Sequence, residues 1–189
     1  MDQQEFFTVH HKLTVNVEPL AADFVLPEQN IFVSEIPAPF IVASEFSQVD
    51  TLAERAMSEL KNSDFKHLIQ LIDHQNGKLN LLLTFMLAQQ DDESIRSITT
   101  RFGASQFTYI APKQLEVGQL ARVKLFLDHP PAAIYCYAKV VECAEGEQGF
   151  EATLTYSLLR EQDQDLLIKA ALYQQQKLLR QRSKERENQ

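Results

Sequence analysis

Glu116-Val117-Gly118-Gln119-Leu120-Ala121-Arg122-Val123-Lys124-Leu125-Phe126-Leu127 decides how the rest of this chain is read. After the Glu116-Val117-Gly118 turn, Ala121, Val123, Leu125 and Leu127 fall on one side and Arg122 and Lys124 on the other, the two-residue period of a strand. Asp128-His129-Pro130-Pro131 cannot continue a ladder, because proline has no N–H to donate. Alternation resumes with Ile134, Cys136, Ala138 and Val140 against Tyr135, Tyr137, Lys139 and Val141, a second strand hairpinned to the first. The glycines of Glu145-Gly146-Glu147-Gln148-Gly149 turn the chain again, and Phe150, Ala152, Leu154 and Tyr156 alternate with Glu151, Thr153 and Thr155. Three successive antiparallel strands are predicted. From about Asp163 the period lengthens: Leu166, Leu167, Ala170, Ala171, Leu178 and Leu179 form a helical stripe among Gln, Lys and Arg. A sheet closed by a terminal helix is the core unit.

Upstream, Phe7, Val9, Leu13, Val15 and Val17 share a phase broken only by His11, and Pro19 stops the run, which predicts a strand of about ten residues. Between Glu18 and Gln48 come three apolar bursts, Phe24-Val25-Leu26, Ile31-Phe32-Val33 and Phe40-Ile41-Val42, separated by Pro27, Pro37 and Pro39. So many aromatic and branched residues imply ordered covering structure, not a linker. After Asp91-Asp92-Glu93-Ser94 the alternation returns with Ile95, Ser97 and Thr99 and continues to Ile110.

The stretch from Val49 to Asp91 breaks the sheet pattern. It reads as two helices, one over 50–60 and one capped by Asp64 that runs to about Gln90. With Phe65 as position a, the seam Phe65, Leu68, Ile72, Gln75, Leu79, Leu82, Met86, Gln89 is a sustained heptad, and Leu71, Leu81, Phe85 and Leu87 add apolar surface outside it. Gly77 costs about 1 kcal/mol of helix propensity relative to alanine and opens the way to a kink. Two readings stand: the helix packs on its own sheet in a monomer, or Phe65, Leu68, Ile72, Leu79, Leu82 and Met86 form an oligomer interface, best buried in a bundle of more than two helices.

The order of these elements, from Leu115-Glu116-Val117-Gly118-Gln119-Leu120 through the strand ending Lys139-Val140-Val141 to Leu158-Leu159-Arg160-Glu161-Gln162-Asp163 and the Gln-rich tail, resembles the C-terminal half of a PilZ domain. The long helical segment is similar to that of the PilZ subgroup that tetramerises through an insertion. The resemblance implies a mainly β fold with α: an antiparallel β-barrel with a C-terminal helix, over 1–48 and 94–189, interrupted by a helical insertion at 49–93. It also implies a role in bacterial cyclic di-GMP signalling, touching motility or biofilm formation. In that family an Arg-x-x-x-Arg motif at the first strand grips the dinucleotide. Phe6-Phe7-Thr8-Val9 resembles its frame and puts Gln4 and Thr8 at the arginine positions. The second motif, Asp/Asn-x-Ser-x-x-Gly, aligns on Gly103, with Ile98 at the carboxylate position, Thr100 at the serine, and Arg101 inside the motif between Thr100 and Gly103. Planar bidentate donors are hard to replace. A degenerate member is therefore expected, one that holds no cofactor, does not favour cyclic di-GMP as a ligand, and acts by self-association and by contact with an unidentified signalling protein. The rivals are a receptor of altered mode, with Arg101, Arg122 and His11 as donors, and a small enzyme with a scattered site.

Composition narrows the field further. A net charge of -8, from 18 Lys+Arg against 26 Asp+Glu, with basic residues gathered only near the end, disfavours nucleic acid as a partner. No apolar run is long enough for membrane insertion, and a cytoplasmic protein is expected. Cys136 and Cys143 are read as reduced and structural. No nucleophile–base pair, carboxylate pair or metal-ligand spacing stands out. His10 and His11 point to opposite strand faces, His67 and His74 lie two helical turns apart, and His129 sits in a proline turn. Asp163 and Asp165 read as caps and solubilising charges. Arg180 and Arg182 complement the helix macrodipole, an acidic partner being the alternative, and the final five or so residues are expected to fray.

Overall fold

In the computed structural model, residues 7–47, 49, 65–147 and 149–187 are described, residues 185–187 by their backbone alone. The strands are β1 (Thr8–His10), β2 (Thr14–Pro19), β3 (Arg96–Gly103), β4 (Gln106–Ala111), β5 (Leu120–Leu127), β6 (Ala132–Gly146) and β7 (Gly149–Leu158). The helices are α1 (Gln29–Glu35), α2 (38–47), α3 (Lys66–Ala88) and α4 (Glu161–Glu187). Strands β3-β2-β5-β6-β7-β4 form an antiparallel ring that β3–β4 pairing closes, and β1 continues beside β3 past the end of β2. The three predicted strands are β5, β6 and β7, paired in that order. A closed six-stranded barrel leaves those six strands no free edge.

Register explains the core. Val123 faces Cys136, Leu125 faces Ile134, Val15 faces Leu125, and Phe107 faces Leu154. All of these residues are buried on the inner face. The β5–β6 strands are covered on the outside as well. Phe24 stacks on Tyr137, Phe32 on Tyr135, and Phe40 meets Phe126 edge-on, each with ring centroids within 6.0 Å. The three apolar bursts are thus the barrel's outer cladding, one on a loop and two on α1 and α2. They account for the burial of β6 on both faces from Ala132 to Ala138.

The N-terminal strand is two strands, because Thr99 of β3 intrudes at His11–Leu13. Its hydroxyl accepts from Leu13 N at 2.9 Å and donates to His11 O at 2.8 Å, beside the backbone bonds from Thr99 N to Leu13 O and from His11 N to Thr100 O. Thr99 is fully buried, so the clamp works without competition from water.

Helix α4 begins at Glu161 and lays Leu166, Leu167, Ala170 and Ala171 on the barrel, all buried. Asp163 is not a solubilising charge. It is fully buried and takes two bonds from Arg160, at 2.8 and 2.6 Å, in the first turn of the helix. Burial pushes its carboxyl above the usual range, and Arg160 holds it back. Helix α3 lies between β2 and β3 in the chain and runs unbroken through Gly77. The proposed cap Asp64 and the helix over 50–60 lie outside the described residues, as does the chain end from 188.

Candidate ligand site and helical interface

The first motif position that the structure describes is Thr8, and Gln4 lies outside the described residues. Thr8 opens β1 directly opposite Gly103 of β3. A side chain on Gly103 would meet the carbonyl oxygen of Phe7 at 2.1 Å, so glycine is required there by backbone approach. Thr100 is the extra residue of a bulge between Thr99 and Arg101. Its hydroxyl lies 3.0 Å from the Glu151 carboxylate, to which it donates. Arg101 is half-buried beside His10 across the β1–β3 pair and forms no ion pair among the described residues. Among the described residues, this part of the barrel therefore presents the Arg101 guanidinium, the Thr8 hydroxyl, the Thr100 hydroxyl already committed to an anion, and the charge of Glu151.

The other donors do not converge on it. His11 reaches Asp128 at 3.2 Å, away from Arg101. Arg122 pairs with Glu18 at 2.8 Å and lies over the Tyr137 ring. Its pKa stays above the ordinary value because Tyr137, Tyr135 and Glu18 outweigh the cost of burial. Glu18 is near the far end of β2, about 20 Å along the chain from His11 at ordinary strand rise. Tyr137 donates in turn to Glu35 at 2.7 Å, which holds α1 against the barrel. Cys136 is buried in the core, and burial raises its thiol pKa far above the ordinary value. His67 and His74 are exposed on α3, and among the described residues no group of His, Cys, Asp and Glu has metal-binding geometry.

The second surface is α3. Its buried residues, Leu83 and Leu87, lie near its C-terminal end, where polar ties among the described residues secure the exit. The buried Asn16 amide donates to Asp91 at 2.8 Å and accepts from Asp92 N at 2.9 Å. Arg96 donates to Asp91 at 2.6 Å, and Lys124 donates to the carbonyl of Gln90 at 3.0 Å. Ile69, Ile72, Asn76, Asn80, Leu83 and Leu87 form the shielded face of the helix. About 100° around the axis lies a different face, with Leu68, Leu71, Leu79, Leu82 and Met86. These are all exposed, Leu82 at 62% and Leu71 at 58%. Phe85 and Leu81 widen the apolar surface to 65% and 73% exposure. Of the six interface residues expected from the heptad, Leu68, Leu79, Leu82 and Met86 point outward. Ile72 is half-buried on the shielded side, and Phe65 is exposed at the helix start.

Sequence reasoning passed over the Arg160–Asp163 pair and the Asn16–Asp91–Arg96 knot. For the first a signal existed: Arg and Asp three apart where a strand hands over to a helix. The second joins residues 75 apart, which no local pattern reveals.

No protein-family profile and no curated protein matches the sequence. Among solved structures, a PilZ-domain protein of Xanthomonas campestris, described as a tetramer self-assembled through a helical bundle, superposes with a TM-score of 0.54. It is 14% identical, with 93% of this chain and 91% of that one covered. The Bacillus subtilis inhibitor of motility MotI/DgrA matches 94% of this chain at 10% identity and a TM-score of 0.49, and this chain spans 53% of its length. No helix among the described residues is long and apolar enough to cross a membrane. A closed antiparallel barrel, a terminal helix laid across it and a long helix between its second and third strands together give this chain a PilZ-like fold.

Proposed function

We propose that this protein is a non-catalytic, cytoplasmic PilZ-like component of bacterial cyclic di-GMP signalling that assembles with copies of itself through α3 and works as a protein-interaction module. In this reading residues 49–93 are the assembly unit, inserted into a barrel domain of 1–48 and 94–189. The observation that carries it is the outward face of α3: Leu68, Leu71, Leu79, Leu82 and Met86 are exposed together on a helix whose buried residues are Leu83 and Leu87. Large contiguous apolar patches of this kind mark association sites. The likeness to a protein that assembles through a helical bundle supports a second copy as the occupant.

The same reading holds that the protein does not use the dinucleotide itself. The resemblance calls for two arginines at the first strand, where this sequence has Gln4 and Thr8, and the Thr100 hydroxyl is bonded to Glu151. The readout would then pass to another protein of the signalling pathway.

Two measurements on the purified protein test the proposal. Sedimentation velocity over a range of concentrations is expected to give a defined oligomer. Calorimetric titration with cyclic di-GMP at moderate salt, which screens nonspecific anion binding, is expected to give no heat, with the melting temperature unchanged at excess nucleotide. Saturable micromolar binding would replace the scaffold with a receptor whose donors include Arg101, and a monomer at every concentration would remove the role of α3.

A further inference from the structure

Helix α4 carries a surface that the barrel does not use. The helix is buried as far as Gln174 and half-buried at Leu178, and residues 179–184 are exposed. It continues to Glu187, so about 13 Å of helix extends past the last packed residue. Lys177, Arg180 and Lys184 recur there at i, i+3 and i+7 and share one side. With Tyr173, Gln176 and Gln181 they line a groove of about 240 Å³. Tyr173 stacks on His129 with ring centroids 3.9 Å apart, which fixes the start of the groove against the β5–β6 turn.

The fold does not account for these charges. None of Lys177, Arg180 and Lys184 has an ion pair among the described residues. Lys177 with Arg180 and Arg180 with Lys184 are like-charge neighbours on the helix surface, an arrangement that disfavours the helix. The macrodipole favours cations only within the last turn, and Lys177 and Arg180 lie well before it. In a chain of net charge -8, residues 177–187 gather Lys177, Arg180, Arg182, Lys184 and Arg186 against Glu185 and Glu187.

We propose that this face of α4 docks an acidic segment of a partner protein. The three cations span about 10 Å along a line, which suits carboxylates repeated along a peptide better than a single compact anion. The acidic remainder of the chain repels such a segment elsewhere and so directs it to this helix. The proposal names the chemistry of the partner in the interaction-module reading. It resides on a different helix from the self-association surface, so the two can fail separately.

The test is fluorescence anisotropy of the full-length protein with a labelled oligoglutamate peptide, with circular dichroism and sedimentation run on every variant. Saturable binding that weakens with added salt is expected. The triple change Lys177→Gln, Arg180→Gln, Lys184→Gln is expected to lower affinity about tenfold or more, with helix content and oligomer mass unchanged. Changing the exposed Lys66, Lys113 and Lys139 to Gln, none of which lines this groove, is expected to leave binding as it was. Absence of saturable binding, equal loss in both variants, or tighter binding of duplex DNA on the same face would each overturn the proposal. So would a fall in oligomer mass in the α4 variant, which would assign the face to self-association.

Discussion

Helices α3 and α4 are both long, 23 and 27 residues, and both carry an apolar stripe of helical period, yet the barrel treats them oppositely. Against the barrel α4 buries Leu166, Leu167, Ala170 and Ala171, and it locks its first turn with the Arg160–Asp163 pair. On α3 only Leu83 and Leu87 are buried, and a second apolar face is left to solvent. Periodicity specifies a helix with a face to cover, but the supply of surface decides what covers it. Once α4 has crossed the barrel and α1 and α2 have clad β5 and β6, the ring has little left to offer α3.

Substitutions that separate the two helices should therefore differ in kind. The largest effect is expected at Asp163. Asp163→Ala leaves the largely shielded Arg160 without its counter-charge and empties a buried site, which costs about 3 kcal/mol, measured as a lowered urea midpoint and melting temperature. Next comes the matched pair Leu167→Ala and Leu82→Ala. The α4 change opens a core cavity at a cost of about 2–5 kcal/mol. The α3 change, in protomers diluted below their association range, is expected to cost less than about 0.5 kcal/mol. Equal losses at the two sites would mean that α3 is as much a part of the protomer core as α4.

Smaller effects sharpen how each element is held. Thr99→Val leaves the buried Leu13 N–H without its acceptor and is expected to cost about 1–3 kcal/mol by denaturant unfolding, without changing oligomer mass. The smallest is at Asp92, on the chain leaving α3. Its carboxylate accepts from the Ser94 hydroxyl and N–H, which hold it below its usual value of about 3.8. A lowered folded value means that the contribution is present above the unfolded value and lost as pH falls through the folded one. Asp92→Asn should therefore lower the melting temperature slightly at neutral pH and flatten its further loss on the acid side, so that the two proteins converge as pH falls below that value.

What could be read in advance follows from where the information lies. β5, β6 and β7 were legible because each turn between them carries glycine or proline and each strand alternates cleanly. The break in the N-terminal strand was not, since it depends on Thr99, more than 80 residues away. Ile31-Phe32-Val33 and Phe40-Ile41-Val42 read as covering structure without a partner, and the aromatic outer face of β5 and β6 shows what they cover. At the candidate ligand site, the alignment on Gly103 falls on the β1–β3 pair, at a glycine that close backbone approach requires. The bond from Thr100 to Glu151 depends on a bulge that no spacing foretold. The heptad identified α3 but not which of its apolar residues face outward, because that is set by the anchorage at Leu83, Leu87 and Asn16.

The most direct test of self-association through α3 is light-scattering mass measured on the double variant Leu79→Asp, Leu82→Asp beside the unaltered protein, with a melting curve for each. Both leucines are exposed on the outward face, at 47% and 62%. The account predicts an oligomer that dissociates in the variant into protomers that still unfold cooperatively. An unaltered protein that is already monomeric, or a variant that loses its fold outright, would mean that α3 is covered by its own chain.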